Sequence, residues 1–320
     1  MMKIGTGFLA GLALLTAIPA SAQAPAKLPY PVKVVTLVTH SSPGAGSDVV
    51  LREMIKYLER YIDAKFIVEN DEGGSGAKAI ARVASARPDG SMLYATTPTY
   101  ILTSLLSKPS RTFHDLEPLV NTFTDAEVVY TRADAPYKSL NDVIARARRA
   151  RGEWGVSNPA SLEREAAEQL KTNAKVNAAI VSHNGGGDMM IDVLNGTLDM
   201  GVGEIDEIRA QLEGRKVRVL ATFNPNRLPG YPAVPTVSEL GYKVVVSKFR
   251  GLAGPKGLPP SLVKTWEQAI QKVLADPEFK KGYTEDDLVA DYIPHDQYGP
   301  FIEKFAIDQG SFLKTTGVIH

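Results

Sequence analysis

The chain has 320 residues, with 36 Lys and Arg against 36 Asp and Glu, no cysteine, 44% hydrophobic and 22% charged residues, the make-up of a folded protein of about two domains. Zero formal net charge removes the electrostatic footprint of a nucleic-acid binder or a membrane-surface protein, because neutralising phosphate requires clustered Lys and Arg. Without cysteine there is no disulfide framework, zinc–thiolate site, iron–sulfur cluster or thiol nucleophile.

At the N-terminus Lys3 precedes the apolar run 4–18, and Ala20-Ser21-Ala22 supplies the small residues a signal peptidase reads. This predicts a signal peptide over residues 1–22, cleaved after Ala22, and an exported product. The run falls short of the roughly 20 residues a membrane span needs and ends at Pro19. From there β-branched runs alternate with amphipathic segments, which predicts βαβ units and parallel sheets. The first series is a strand over 32–38, a helix over 47–61, a strand over 65–69, a helix over 75–86 and a strand over 92–96. The second has strands over 127–131, 154–157, 176–182, 198–202 and 217–222, with helices over 139–151, 161–171, 187–194 and 205–212 between them. A Pro-rich stretch, 224–235, then leads to a predicted strand over 242–247 and helices over 260–275 and 298–313.

Three loops join strand ends to helix starts. In the first, His40, Ser41, Ser42, Pro43, Gly44, Ala45, Gly46, Ser47 and Asp48 bring free backbone N–H groups and the positive end of a helix dipole together, a geometry that suits an anion. It lacks the Gly-Lys-Ser/Thr ending of a P-loop and does not complete G-x-G-x-x-G; the plain structural reading is a tight turn with Ser47 or Asp48 as N-cap. The second loop, Ser157-Asn158-Pro159-Ala160-Ser161, reads as a capped helix start, with Glu163-Arg164-Glu165 following. The third, His183-Asn184-Gly185-Gly186-Gly187-Asp188, lets backbone approach a ligand closely, or is a turn capped by Asp188. Thr97, after the strand ending at Thr96, joins the candidates.

PGAGSD (43–48), VEN with trailing glycines (68–76), ARPDG (86–90), the D-x-L-x-G-x-x-D run 192–199, VPTVSELG (234–241) and GLAGPKGLP (251–259) occur in the order found in Bug-type solute receptors of tripartite tricarboxylate transporters, and the chain resembles that family over nearly all of its mature length. The resemblance implies an α/β, two-domain periplasmic binding protein of type II, the Venus-flytrap arrangement, with a mixed, mostly parallel sheet in each domain. Residues 23–124 and 248–320 would form domain 1 and 125–247 domain 2, crossover strands included. The implied function is to take a small organic carboxylate into the interdomain cleft and deliver it to membrane permease subunits. In such receptors the first loop and loops of domain 2 hold the carboxylate through backbone N–H groups, hydroxyls and waters, which maps onto 41–48 and 157–161.

Three departures bear on the ligand. His40 replaces an aromatic residue of many relatives, making the first wall more polar, or is a solvated loop residue. Glu204 follows the strand 198–202 where relatives often carry a neutral residue; it is either an acceptor for an ammonium group or a helix-start acid complementing the dipole. Arg250 precedes Gly251 and would either clamp a carboxylate bidentately or form a surface or hinge ion pair. No G-x-S-x-G or H-E-x-x-H is present, and the five histidines lack metal-ligand spacing. The expectation is a binding protein without catalysis, cofactor or metal, with an exported hydrolase or a receptor feeding a sensor protein as alternatives.

Overall fold

The computed structural model describes residues 1–2, 27–315 and 317–319; apart from Met1 and Met2, the expected signal peptide lies outside the described residues. In chain order the elements begin with β1 (Val34–Thr39), α1 (Gly46–Tyr61), β2 (Lys65–Asn70), α2 (Ala77–Ala84), β3 (Met92–Thr96), α3 (Pro98–Ser107) and β4 (Leu116–Asp125). Next come β5 (Glu127–Arg132), α4 (Leu140–Arg149), β6 (Gly152–Val156), α5 (Leu162–Ala174), β7 (Ala178–Ser182), α6 (Gly186–Asn195), β8 (Met200–Glu204), α7 (Ile205–Glu213) and β9 (Val217–Thr222). The chain closes with β10 (Lys248–Pro255), α8 (Pro260–Ala275), α9 (Pro277–Glu285), β11 (Val289–Ile293) and α10 (His295–Thr315). Among the described residues no helix is long and apolar enough to cross a membrane.

Two sheets result, one of six strands in the order β11-β4-β10-β3-β1-β2 and one of five in the order β7-β6-β8-β5-β9. In the first, β10 and β11 run against the other strands; in the second, β5 does. The chain leaves the first sheet at Ala126 and returns through 223–247. Because β4 and β10 pair antiparallel with Lys248 opposite Asp125, both crossings lie side by side. Each sheet has its own core: Leu37, Leu58, Phe123 and Trp266 on the first, and Val143, Trp154, Val156 and Met200 on the second, all essentially without solvent contact. α1 shows how the sequence seats its loop, since Val50, Leu51, Met54, Tyr57 and Leu58 form one buried stripe at helical spacing. At roughly 1.5–3 kcal/mol for each large apolar side chain buried, that stripe fixes where the helix begins.

The predicted strand over 242–247 does not form. Val244 and Val246 are buried while Lys243, Val245 and Ser247 are exposed, so the alternation is real, but it comes from extended chain laid on the second core without a ladder partner; the strand starts at Lys248 instead. Five elements carried no usable sequence signal: α3, β4, α9, β10 and β11. β10 is the instructive one, because Gly251, Gly254 and Pro255 read as loop residues. A side chain at Gly251 would overlap the Val120 carbonyl of the neighbouring strand, so glycine serves close strand approach here.

Candidate functional site

The first loop is held by its own polar groups. Asp48 accepts from Gly44 N–H (3.0 Å), Arg52 Nε (2.9 Å) and Asn70 Nδ2 (3.0 Å), and Asn70 Nδ2 also donates to the Ser41 carbonyl (2.9 Å). Burial alone would raise the Asp48 carboxyl, but these donors bring it below its ordinary value. Gly44 has φ +81°, a turn conformation that favours glycine. Neither Ser47 nor Asp48 caps α1: its N-cap is Ala45, with no side-chain hydrogen bond. The first turn of α1 therefore has no side-chain cap.

The second loop is braced by Asn158, whose Oδ1 accepts from Ala160 N–H (3.0 Å). Ser161 Oγ donates to the Asn158 carbonyl (3.0 Å) and accepts from Arg164 N–H (3.2 Å), capping α5. In the third loop His183 is tied at both ring nitrogens, to the Val156 carbonyl (3.2 Å) and Asp192 Oδ2 (3.1 Å). The N-cap of α6 is Gly185, not Asp188. Added side chains at Gly185 and Gly187 would overlap Ser42 and the Pro43 carbonyl, so the lips of the cleft touch, and the glycine run is what permits it.

Behind these lips lie two joined spaces. An inner cavity of about 250 Å3 is lined from the first sheet's side by His40, Ser41, Ala45, Gly46, Ser47 and Thr97, and from the second's by Ser157, Asn158 and Glu204. Much of that volume lies between packed atoms, and the free centre has room for about one water-sized group. An outer chamber of about 880 Å3 shares His40 and Asn158 with it and is bounded by Gly73–Gly76, His183 and Asp188. Of the other candidates, Ser42 packs against the third loop, Gly44, Asp48 and Ser161 build the loops, and Arg250 lies behind the inner floor. His40 is not a solvated loop residue. It is buried, its Nδ1 lies 3.0 Å from Tyr94 Oη, and burial, reinforced by Lys248 and Arg250, pushes its pKa down to about 3; the ring is neutral.

Glu163, Glu207 and Lys248 also line the inner cavity, and none was singled out from sequence. Lys248 is 6% exposed and Glu204 1%. The Lys248 ammonium contacts Glu204 Oε1, Glu163 Oε1 (2.7 Å) and Glu127 Oε1 (3.6 Å). Arg250 donates from Nε to Asp125 (2.7 Å) and from Nη1 to Ser47 Oγ (3.2 Å), with Asp206 at 3.5 Å and Glu204 at 3.8 Å from Nη2. Arg250 thus forms a buried ion pair with Asp125. Burial would lower the Lys248 pKa, but Glu163, Glu204 and Glu127 raise it well above the usual lysine range. Burial opposes ionisation of Glu204 too, yet Lys248 and Arg250 outweigh it and hold that carboxyl low. Glu207 goes the other way, raised by burial and then by Glu204, with which it shares a hydrogen bond. Glu127, Glu163 and Glu204 bring carboxylate oxygens within 4.8 Å of one another, a spacing that suits a metal ion, but the Lys248 ammonium already stands among them.

Four helices, α1, α3, α6 and α7, begin at this cavity with no side chain capping them, and α2 does the same at the outer chamber. Of the other helices, α4, α5 and α9 are capped by Ser139, Ser161 and Asp276, and α8 starts after Pro259 without a side-chain cap. Uncapped starts carry unsatisfied N–H groups and partial positive charge. The sequence of residues 50–318 matches the model of the tripartite tricarboxylate transporter family receptor. The chain belongs to this receptor family. Among its relatives is BugT of Bordetella pertussis, 26% identical over 255 residues, which cover 77% of each chain. The periplasmic binding protein BugD superposes with a TM-score of 0.83 at 22% identity, covering 90% of the receptor and 99% of BugD. An R. palustris protein solved with adipate gives 0.84 at 22% identity, with 90% and 98% covered. The receptor thus has the Bug-type, two-sheet fold of periplasmic binding proteins.

Proposed function

We propose that this protein is a periplasmic receptor that takes a small organic carboxylate between its two domains and presents it to the membrane permease subunits of a tripartite tricarboxylate transporter. The observation that carries this is the convergence of uncapped helix starts from both sheets, α1 and α3 from one and α6 and α7 from the other, on a single cavity. A carboxylate there satisfies N–H groups of both units at once, so binding favours the closed form over the open one. The units that move are 23–124 with 248–320, and 125–247; they turn about the paired crossings at Ala126 and Ser247. Residues 1–22 direct export and are removed as the chain crosses the membrane. Adipate, bound by a structural relative, is a sensible first probe.

The test is a melting screen of the mature chain against di- and tricarboxylates. A true ligand at a hundred times its Kd adds about 2.7 kcal/mol of apparent stability, and it should be recovered unaltered after prolonged incubation. Failure of every carboxylate to raise the melting temperature, or conversion of the ligand by purified protein, would overturn the reading.

A further inference from the structure

Three acceptors around the inner cavity are buried and unsatisfied: Glu163 Oε2, Glu207 Oε1 and Thr97 Oγ1. Glu163 is 2% exposed and Thr97 1%. A buried acceptor left without a donor is costly, and here they surround a space the size of one water molecule. An ammonium group has that size and brings three donors in a compact head. Two of the three acceptors belong to glutamate side chains, and a charge-assisted donor is the strongest partner such an oxygen can have. Lys248 does not use up the acceptors, because it meets Glu163 through Oε1 and leaves Oε2 free.

We infer that the inner cavity takes the ammonium group of the ligand, which is therefore an amine-bearing carboxylate of the amino-acid class, with its carboxylate on the helix starts of α1, α3, α6 and α7 that ring that cavity and its remaining chain in the outer chamber. The inference rests on the carboxylate reading and narrows it. Glu163 and Glu207 accept from the ammonium, and Thr97 Oγ1 supplies the third acceptor. The outer chamber, with Gly73–Gly76 on one side and His183 and Asn184 on the other, houses the remainder.

The experiment is calorimetric titration of the mature protein with three matched pairs that differ by one amine: aspartate and succinate, glutamate and glutarate, 2-aminoadipate and adipate. At least one amine-bearing member should bind tighter than its partner by about 30-fold or more, the scale of a desolvated charge pair. In Glu163→Gln the Lys248 contact is kept through the amide oxygen while a donor replaces Oε2. That variant should lose most of the preference, read as the ratio of the two affinities within each pair. Thr97→Val, which removes an acceptor without touching a charge, should lower the preference without abolishing it, and melting curves check that both variants fold. Succinate, glutarate or adipate binding as tightly as its amine counterpart would overturn the inference and leave the carboxylate reading standing. Binding of putrescine but of no acid would overturn the carboxylate reading and leave the ammonium site; binding of none of these would overturn both.

Discussion

Lys248→Met removes the one ammonium that meets Glu127, Glu163 and Glu204 while roughly keeping its volume. Glu204 retains only the distant Arg250 guanidinium at 3.8 Å, and Glu163 keeps no cation within salt-bridge distance. Stripping one partner from a buried ion pair costs about 3–5 kcal/mol. Glu127 adds less to that figure, because burial and the neighbouring Glu163 already disfavour its charged form. The loss has a definite pH signature. Glu204 has a depressed folded pKa, so its contribution is present above the ordinary value of 4.5 and fades as pH falls through the folded value. Lys248 has a raised one, so its contribution is complete below 10.5 and fades only in strong alkali. Between these limits the gap between wild type and variant should be flat, and below pH 4.5 it should narrow. Urea unfolding followed by circular dichroism at pH 7.5 and at pH 4 measures both. A loss below about 1 kcal/mol at pH 7.5, the range of an exposed pair, or a gap that widens in acid, would refute the account of the cluster.

Gly187→Ala puts a methyl group against the Pro43 carbonyl, a backbone atom that cannot turn aside; affinity for the ligand should fall by about tenfold or more while the melting temperature of the empty protein changes little, and small-angle scattering should show a larger radius with ligand than wild type has. Unchanged affinity would mean that the lips need not meet. For His40, with a pKa pushed down to about 3, the imidazole resonances should stay flat from pH 5 to 8, and a midpoint near 6.5 would show the ring to be hydrated.

The strands and helices that carry the three loops were legible because each pairs a β-branched run with an amphipathic stretch; the glycines at 46 and 185–187 mark close approach of the protein's own residues, while Gly44 marks a turn with φ +81°. What escaped was the partner of each approach. Gly46 makes room for Arg250 and Glu204, residues some 160 to 200 positions away, and no local pattern joins them. The charged floor was hidden for the same reason, since its acids are spread from Asp125 to Glu207. One local signal existed. Asp125-Ala126-Glu127, at the junction of β4 and β5, and Lys248-Phe249-Arg250, at the start of β10, place charges two apart among buried residues, which demands a facing countercharge; the register then sets Lys248 opposite Asp125. Glu163 gave no such sign, because an acid in the first turn of α5 is ordinary dipole compensation. β4 and β10 were masked by proline and glycine at Pro118, Gly251, Gly254 and Pro255, residues that read as loop.

The bare helix starts also say something about what the protein gives up. Ala45 stands where Ser or Asp would add about 1 kcal/mol, and Thr97, a competent cap by type, leaves its hydroxyl unused. The empty receptor is therefore softer than its helices allow, and a bound ligand restores stability that caps would have given. Selection for heat resistance in the absence of ligand would be drawn to these positions, and each cap it installed would fill, from within, the field that greets an incoming acid.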